Sequence, residues 1–347
     1  MSKIIGNSVN YYAPGDVRIE DVTAVPAIRT GEVLVKIEAC AICGTDIKSF
    51  VSGNPRIIPP QTMGHELSGT IVQIGNGVEQ YQVGQRVTMA TTVGCGECLY
   101  CRQGRTNLCR QAKALGFAYP GAMAPYAVIP AEAVRQGHLV DVGDLDPTIA
   151  ALSEPMSCAM NDLNRVPEPV HSVLILGLGP LGMLHAVCAR EKGIEKIVCV
   201  EFPGKRFDMA SRLGFTAVLT PEEIDIRYRD LTDGEGFDLV VITAPSNAVQ
   251  SKALTYARKG GYVSYFASLP VGSEILLMNS RTIHYNELVL YGTSDSTVKH
   301  VQDAVELLRR NPESFRPLIT HVLPMADFHR AMAEIKAGNA VKVVLVP

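Results

Sequence analysis

Four cysteines, Cys95, Cys98, Cys101 and Cys109, crowd into the segment GCGECLYCRQGRTNLC. Two residues separate each of the first three, and seven separate the third from the fourth. Thiolates on short C-x2-C hooks are the soft ligands that tetrahedral zinc takes at about 2.3 Å. Glycines at 94, 96 and 104 let the backbone wrap an ion. Buried thiols or a redox C-x-x-C would be the competing explanation, but four regularly placed cysteines in a Gly-rich loop make a poor core strand. A closed four-thiolate site has no open position, so this zinc is expected to be structural and the chemistry must lie elsewhere.

A reactive metal needs an open position. Cys43 stands in C-G-T-D, His65 and Glu66 in G-H-E, and Glu154 in S-E-P-M. A thiolate, an imidazole and a carboxylate make three protein ligands and leave a fourth place for water or substrate. One thiolate and one carboxylate would neutralise a dication, which could then lower the pKa of a bound alcohol. From spacing alone, however, a lone Cys, one His and a distant Glu read more readily as structural or surface residues.

A third signal is Gly177-Leu178-Gly179-Pro180-Leu181-Gly182, a G-x-G-x-x-G placed between a strand-like run and a helical one. In that context the first glycine makes the turn, the second admits a pyrophosphate and the third lets helix and strand pack closely. Pro180 suits a first helical turn. Glu201 closes the next strand-like run, where a carboxylate can accept both ribose hydroxyls of NAD and repel a 2′-phosphate. NAD is therefore expected over NADP, with Lys205 and Arg206 close enough to keep NADP in view.

These residues need elements to position them. Residues 31–39, GEVLVKIEA, alternate Val33, Val35 and Ile37 against charged neighbours, as a half-buried strand does. Gly69–Ile74 and Gln85–Ala90 also read as strands, and 148–165 as a helix. From Val170 onward short apolar runs alternate with helical stretches: SVLIL, GPLGMLHAVCAREKG, KIVCVE, KRFDMASRLG, FDLVVITA, NAVQSKALTYARKGG and YVSYFA. That rhythm marks a parallel sheet with helices on both faces. A helix over Val298–Arg310, another over Met325–Ala337 and a strand in VKVVLVP follow. Residues 169–189 carry no Asp, Glu, Lys or Arg, yet their central glycines divide them into strand, turn and helix rather than a membrane span.

Bulk composition narrows the class. With 347 residues, two domains are expected. A hydrophobic fraction of 47% with 19% charged residues describes a globular chain. A net charge of −3 disfavours a zinc-ribbon nucleic-acid module, which would present a basic face. Nine cysteines, an odd number with four assigned to zinc, and no apolar signal core at the N-terminus point to a reducing cytoplasm. Cys40, Cys188 and Cys199 read as core. His171, His185, His300 and His329 read as surface or satisfied structural histidines.

The order of Cys43-Gly44-Thr45-Asp46, Gly64-His65-Glu66, the four-cysteine loop, Glu154-Pro155 and the glycine fingerprint resembles zinc-dependent medium-chain dehydrogenases. Glu154-Pro155, Arg281-Thr282-Ile283-His284-Tyr285 and Leu318-Ile319-Thr320-His321 are similar to the sorbitol, or polyol, dehydrogenase branch. The resemblance implies an α/β protein: a GroES-like β-rich catalytic domain over 1–155 with its zinc loop at 94–110, a Rossmann NAD-binding domain over 156–291, and a return segment over 292–347. It implies two zinc ions per subunit, the catalytic one on Cys43, His65 and Glu154, with Glu66 as an alternate ligand. It gives Thr45 the first acceptance of the substrate proton and Asp46 the orientation of His65. It places Gly177, Gly179, Pro180, Leu181, Gly182, Glu201, Arg206 and Lys342 on the cofactor, Lys342 at the pyrophosphate. Lys48 stands where many relatives carry a proton-relay histidine. The implied activity is NAD-dependent oxidation of a secondary hydroxyl of a polyol or sugar derivative, in a cytoplasmic homodimer or homotetramer with no nucleic-acid or membrane partner. Polyol phosphates, 2,3-butanediol and L-threonine are same-scaffold alternatives, and a non-catalytic NAD-binding redox sensor is the alternative of a different class.

Overall fold

The computed structural model describes residues 4–167 and 169–347. The chain forms two compact units: one holds the chain up to Ser157 together with Asp295–Pro347, and the other is Cys158–Ser294.

The first unit is built on antiparallel strands. Its central strand, Val33–Ala41, pairs with Glu66–Ile74, with Tyr126–Ile129 and with Lys342–Val346. Val33, Val35 and Ile37 are buried, but so are Leu34, Ala39, Cys40 and Ala41. At the end of the strand the alternation is overridden because Ala39 and Ala41 join a small cluster with Ala151 and Val344, while Cys40 belongs to the larger core. The chain's last strand meets it through Val344↔Ala41 and Leu345↔Cys40. The 148–165 helix is in fact two helices, Pro147–Ala150 and α1 (Ser153–Leu163). Asp146 caps the first through its carboxylate, and Pro147 sits at the first helical position. Val298–Arg310 is a helix as expected, while the last helix begins at Phe328 after a short 3-10 turn over Met325–Asp327.

The second unit carries a six-stranded parallel sheet. In chain order its strands are β1 (Ser172–Leu176), β2 (Lys196–Val200), β3 (Ala217–Leu219), β4 (Phe237–Ile242), β5 (Ala257–Ser264) and β6 (Val289–Tyr291). They lie in the order β3-β2-β1-β4-β5-β6, the doubly wound order of the Rossmann fold. Helix α2 (Pro180–Glu191) follows β1. One stretch departs from the expected rhythm: Ala257-Arg258-Lys259-Gly260-Gly261 belongs to β5 rather than to the preceding helix, which ends at Lys252. The central strands are buried on both faces: Val173, Leu174, Ile175, Leu239, Val240 and Val241 are all at 0% exposure. This is why they read as continuous apolar runs. No helix among the described residues is long and apolar enough to cross a membrane.

Candidate active site, metal centres and cofactor cradle

Cys95, Cys98, Cys101 and Cys109 offer sulfurs that all lie within 4.8 Å of one another. Tetrahedral geometry with zinc–sulfur bonds of about 2.3 Å demands edges of roughly 3.8 Å. The Cys95–Cys101 and Cys98–Cys101 separations are 3.9 and 3.5 Å. Backbone N–H groups of Cys95, Cys98 and Gln111 donate to these sulfurs at 3.3–3.4 Å, as they do to thiolates. The hydrogen bonds from Glu97 and Cys98 lower the Cys95 thiol to about 6. A methyl at Gly94 would sit 2.7 Å from the Cys101 sulfur, so the loop can close only with glycine there. Spacing, geometry and donor chemistry all fit a zinc ion.

The second cluster forms where the central strand of the first unit ends. Cys43 is the N-cap of the helix Gly44–Ser52. Its sulfur accepts from the Thr45 N–H at 3.4 Å and lies 3.5 Å from the Thr45 hydroxyl. Ligand atoms of Cys43, His65 and Glu66 converge to within 4.8 Å of one another. The converging carboxylate is thus Glu66, expected as the alternate ligand, rather than Glu154. Glu154 is buried too, at 7% exposure, but its carboxylate lies beside that of Asp295, within 4.8 Å. Asp295 adopts a left-handed backbone (φ 59°), accepts from the Ser296 N–H at 2.7 Å and is hydrogen-bonded by Thr92. Nothing in its sequence context signalled Asp295.

Charge in this pocket is costly without a cation. Burial pushes the Cys43 thiol up to about 12, with Glu66 adding to the shift and Lys342 opposing it. Burial also raises Glu154 well above the usual carboxylate range and raises Asp46. His65 is raised: burial alone would lower it, but Asp46, Glu154 and Glu66 outweigh that. A dication among these donors would reverse the penalties. Glu66 Oε1 is buried with no protein hydrogen-bond partner among the described residues, which also fits a metal ligand.

Two second-rank residues differ from expectation. Asp46 accepts the Cys43 N–H through Oδ2 at 3.0 Å, while its Oδ1 is 3.8 Å from His65 Nδ1, beyond hydrogen-bond reach. It closes a capping box on Cys43. Lys342, expected at a cofactor phosphate, is 3% exposed. Its ammonium donates to the Ile42 carbonyl at 3.0 Å and is ion-paired with Glu66. Within the first unit its partner is thus the buried Glu66 carboxylate. Lys48 is exposed on its helix.

The glycine fingerprint opens α2 as expected. Gly177 has φ 99°, and a methyl on Gly182 would lie 2.0 Å from the Gly177 carbonyl oxygen. Gly179 differs: its methyl would meet nothing nearer than an Arg206 nitrogen at 3.8 Å. Protein packing does not require glycine there, so the open space is free for a ligand. Pro180 starts the helix, and the Leu181 carbonyl accepts from His185 at 2.7 Å. Glu201 accepts from the N–H of Leu178 at 2.9 Å and of Phe202 at 3.0 Å. Arg206 lies 4.0 Å from the same carboxylate. A cleft of about 260 Å³ adjoins these groups, with Glu201, Phe202, Asp225, Lys252 and Tyr256 in its wall. The residues fit a dinucleotide.

Comparison with known proteins agrees with this construction. Residues 29–138 match the alcohol dehydrogenase GroES-like domain, and residues 180–310 match the zinc-binding dehydrogenase domain. The L-threonine 3-dehydrogenase of Pyrococcus horikoshii is 32% identical over 329 residues, covering 93% of each chain. A protein from Sinorhizobium meliloti 1021, provisionally assigned as a zinc-binding dehydrogenase and bound to NADP, superposes with a TM-score of 0.89 at 27% identity, covering 98% of this chain and 99% of its own. The 2R,3R-butanediol dehydrogenase of Bacillus subtilis shares the fold, with a TM-score of 0.88 at 24% identity and coverage of 98% and 99%. Fold and site together define a GroES-like unit joined to a Rossmann unit. The chain belongs to the zinc-dependent medium-chain dehydrogenase superfamily and is an oxidoreductase acting on CH–OH groups.

Proposed function

We propose that the protein oxidises a secondary hydroxyl of a polyol or sugar-derived substrate to a ketone, reversibly, with NAD. The observation that carries this reading is the convergence of Cys43, His65 and Glu66 within 4.8 Å beside the Thr45 hydroxyl. Zinc there would supply Lewis acidity to the substrate hydroxyl, and NAD would accept the hydride. Cys43 and His65 would hold the metal with a carboxylate from Glu66 or Glu154. Thr45 takes the substrate proton, and with Lys48 exposed the proton leaves through water. Glu201 supports NAD over NADP because its charge opposes a 2′-phosphate, while the nearby Arg206 and the NADP-bound relative make NADP the comparison to run. A homodimer is supported by the open edge of β6 and the exposed Val271, Ile275 and Leu277 (96, 81 and 89%).

The experiment is a panel of polyols, polyol phosphates, 2,3-butanediol and L-threonine, followed by NADH absorbance with each nicotinamide cofactor. L-Threonine is the second reading, because relatives 32% identical carry that activity in their names. Turnover of L-threonine alone would replace the polyol assignment. No turnover by a protein holding two zinc ions and NAD would favour a binding protein. Glu154→Ala is expected to abolish turnover while sparing NADH binding; near-native rates would remove Glu154 from the site.

A further inference from the structure

The Rossmann unit buries an acid and a histidine that the chemistry above does not use. Asp162, near the end of α1, and His185, in α2, are both at 0% exposure. His185 Nδ1 lies 2.7 Å from the Leu181 carbonyl oxygen. A carbonyl only accepts, so Nδ1 carries a proton. Nε2 then faces Asp162 Oδ2 at 3.5 Å, and neither atom has a hydrogen-bond partner among the described residues. At 3.5 Å the two atoms stand at the outer limit of a direct hydrogen bond. Two bare acceptors buried face to face carry a cost that one shared proton would remove. His185 therefore faces two elements, its own helix through the Leu181 carbonyl and α1 through Asp162.

The remaining partners cluster at one edge of the sheet. Asp162 Oδ1 accepts from the hydroxyls of Ser264 at 2.6 Å and Thr293 at 3.0 Å. The Asp162 carbonyl accepts from the Tyr291 hydroxyl at 3.3 Å. Ser264 ends β5, Tyr291 ends β6, and Leu181 lies within the glycine fingerprint. The Phe266 ring packs edge-on against His185 at 4.5 Å. On either side of Phe266, the N–H groups of Tyr265 and Ala267 are held by the Tyr291 and Ile242 carbonyls at 2.8 and 2.9 Å. In a doubly wound sheet, the ligand crevice lies outside these carboxyl ends. An apolar pair could fill the same space without burying unsatisfied acceptors, so packing alone does not account for an acid and an imidazole here.

We propose that Asp162 and His185 are a cofactor-positioning pair, a proton-bridged strap that fixes the first turn of α2 against the carboxyl ends of β5 and β6. The proposal rests on the reading of this unit as the dinucleotide-binding one. The test is NADH affinity by fluorescence titration, which needs no knowledge of the alcohol substrate. Asp162→Ala should weaken NADH about tenfold or more, the scale of one lost hydrogen bond to a charged group. Asp162→Asn should bind within about threefold of wild type, because its amide donates to Nε2 and its oxygen keeps Ser264 and Thr293. Asp162→Ala combined with His185→Leu should be no weaker than Asp162→Ala alone, the non-additivity of a shared contact. If Asp162→Ala does not fold, His185→Gln against Asp162→Asn makes the same comparison. The proposal is overturned if the alanine variant binds NADH like wild type, if the asparagine variant is as weak as the alanine one, or if the two losses add. Wild-type protein that binds neither NADH nor NADPH would instead overturn the dinucleotide reading.

Discussion

Lys342→Met is the most informative single perturbation of the metal pocket. The ammonium and the Glu66 carboxylate are both buried, with side chains 4% and 1% exposed. Removing one member of such a pair strands the other charge, at about 3–5 kcal/mol. Ile42 loses the donor to its carbonyl as well, a contribution of about 1 kcal/mol within that range. Methionine fills most of the space, so the effect is electrostatic rather than a cavity. Zinc on Cys43, His65 and Glu66 would supply the missing positive charge, so the loss should shrink to below about 2 kcal/mol in zinc-loaded protein. Urea unfolding of wild type and variant, each with and without zinc, measures both differences. Zinc at the four-cysteine loop stabilises both proteins alike and cancels. A loss below about 1 kcal/mol without zinc, or an equal loss with and without it, would refute the argument that Lys342 serves as the counter-charge of Glu66.

Other expectations follow from the same geometry. Gly179→Ala should fold with an unchanged melting temperature yet lose NADH affinity, whereas Gly182→Ala should lose both, because its methyl would meet a carbonyl oxygen at 2.0 Å; thermal melts with NADH titrations separate the two. Cys98→Ser should halve the zinc content by elemental analysis and leave NADH binding by the second unit intact. Asp238 is 13% exposed at its side chain, ion-paired with Arg258 and bonded by the N–H groups of His171 and Ser172 at 3.0 and 2.7 Å. Burial would raise its pKa, but the Arg258 and Ser172 bonds outweigh this and lower it. A lowered folded-state value stabilises the protein above the unfolded carboxyl pKa of about 3.9, and the gain disappears as pH falls through the folded value. Wild type should therefore exceed Asp238→Asn in stability at neutral pH, and the difference should shrink as pH falls below the unfolded carboxyl value, by unfolding curves across that range.

What the sequence disclosed depended on how local the signal was. The four cysteines and the glycine fingerprint were legible because their partners lie within a turn or two, and the parallel sheet because its strands, buried on both faces, read as unbroken apolar runs. Residues 257–261 were misplaced because Arg258, Lys259 and two glycines look nothing like a core strand. Yet Gly261 is needed there, since its methyl would meet the Arg258 carbonyl oxygen at 2.8 Å. The pairing of Lys342 with Glu66 is not legible, because it is fixed by a strand pairing that no local pattern displays. Asp46 is legible as a capping-box acid three residues after Cys43. The unsatisfied face of His185 could not have been foreseen, because it depends on Asp162 arriving from another helix.

The pairing of Val344 and Leu345 with Ala41 and Cys40 also governs the order of assembly. The Ile42–Lys342 contact closes a loop of 300 residues, so the thiol-bearing end of the central strand lacks its flank until nearly all of the chain has been synthesised. Cys158–Ser294, by contrast, is continuous and can mature as soon as it leaves the ribosome. A nascent chain halted near residue 335 should already capture NADH while leaving Cys43 open to alkylation.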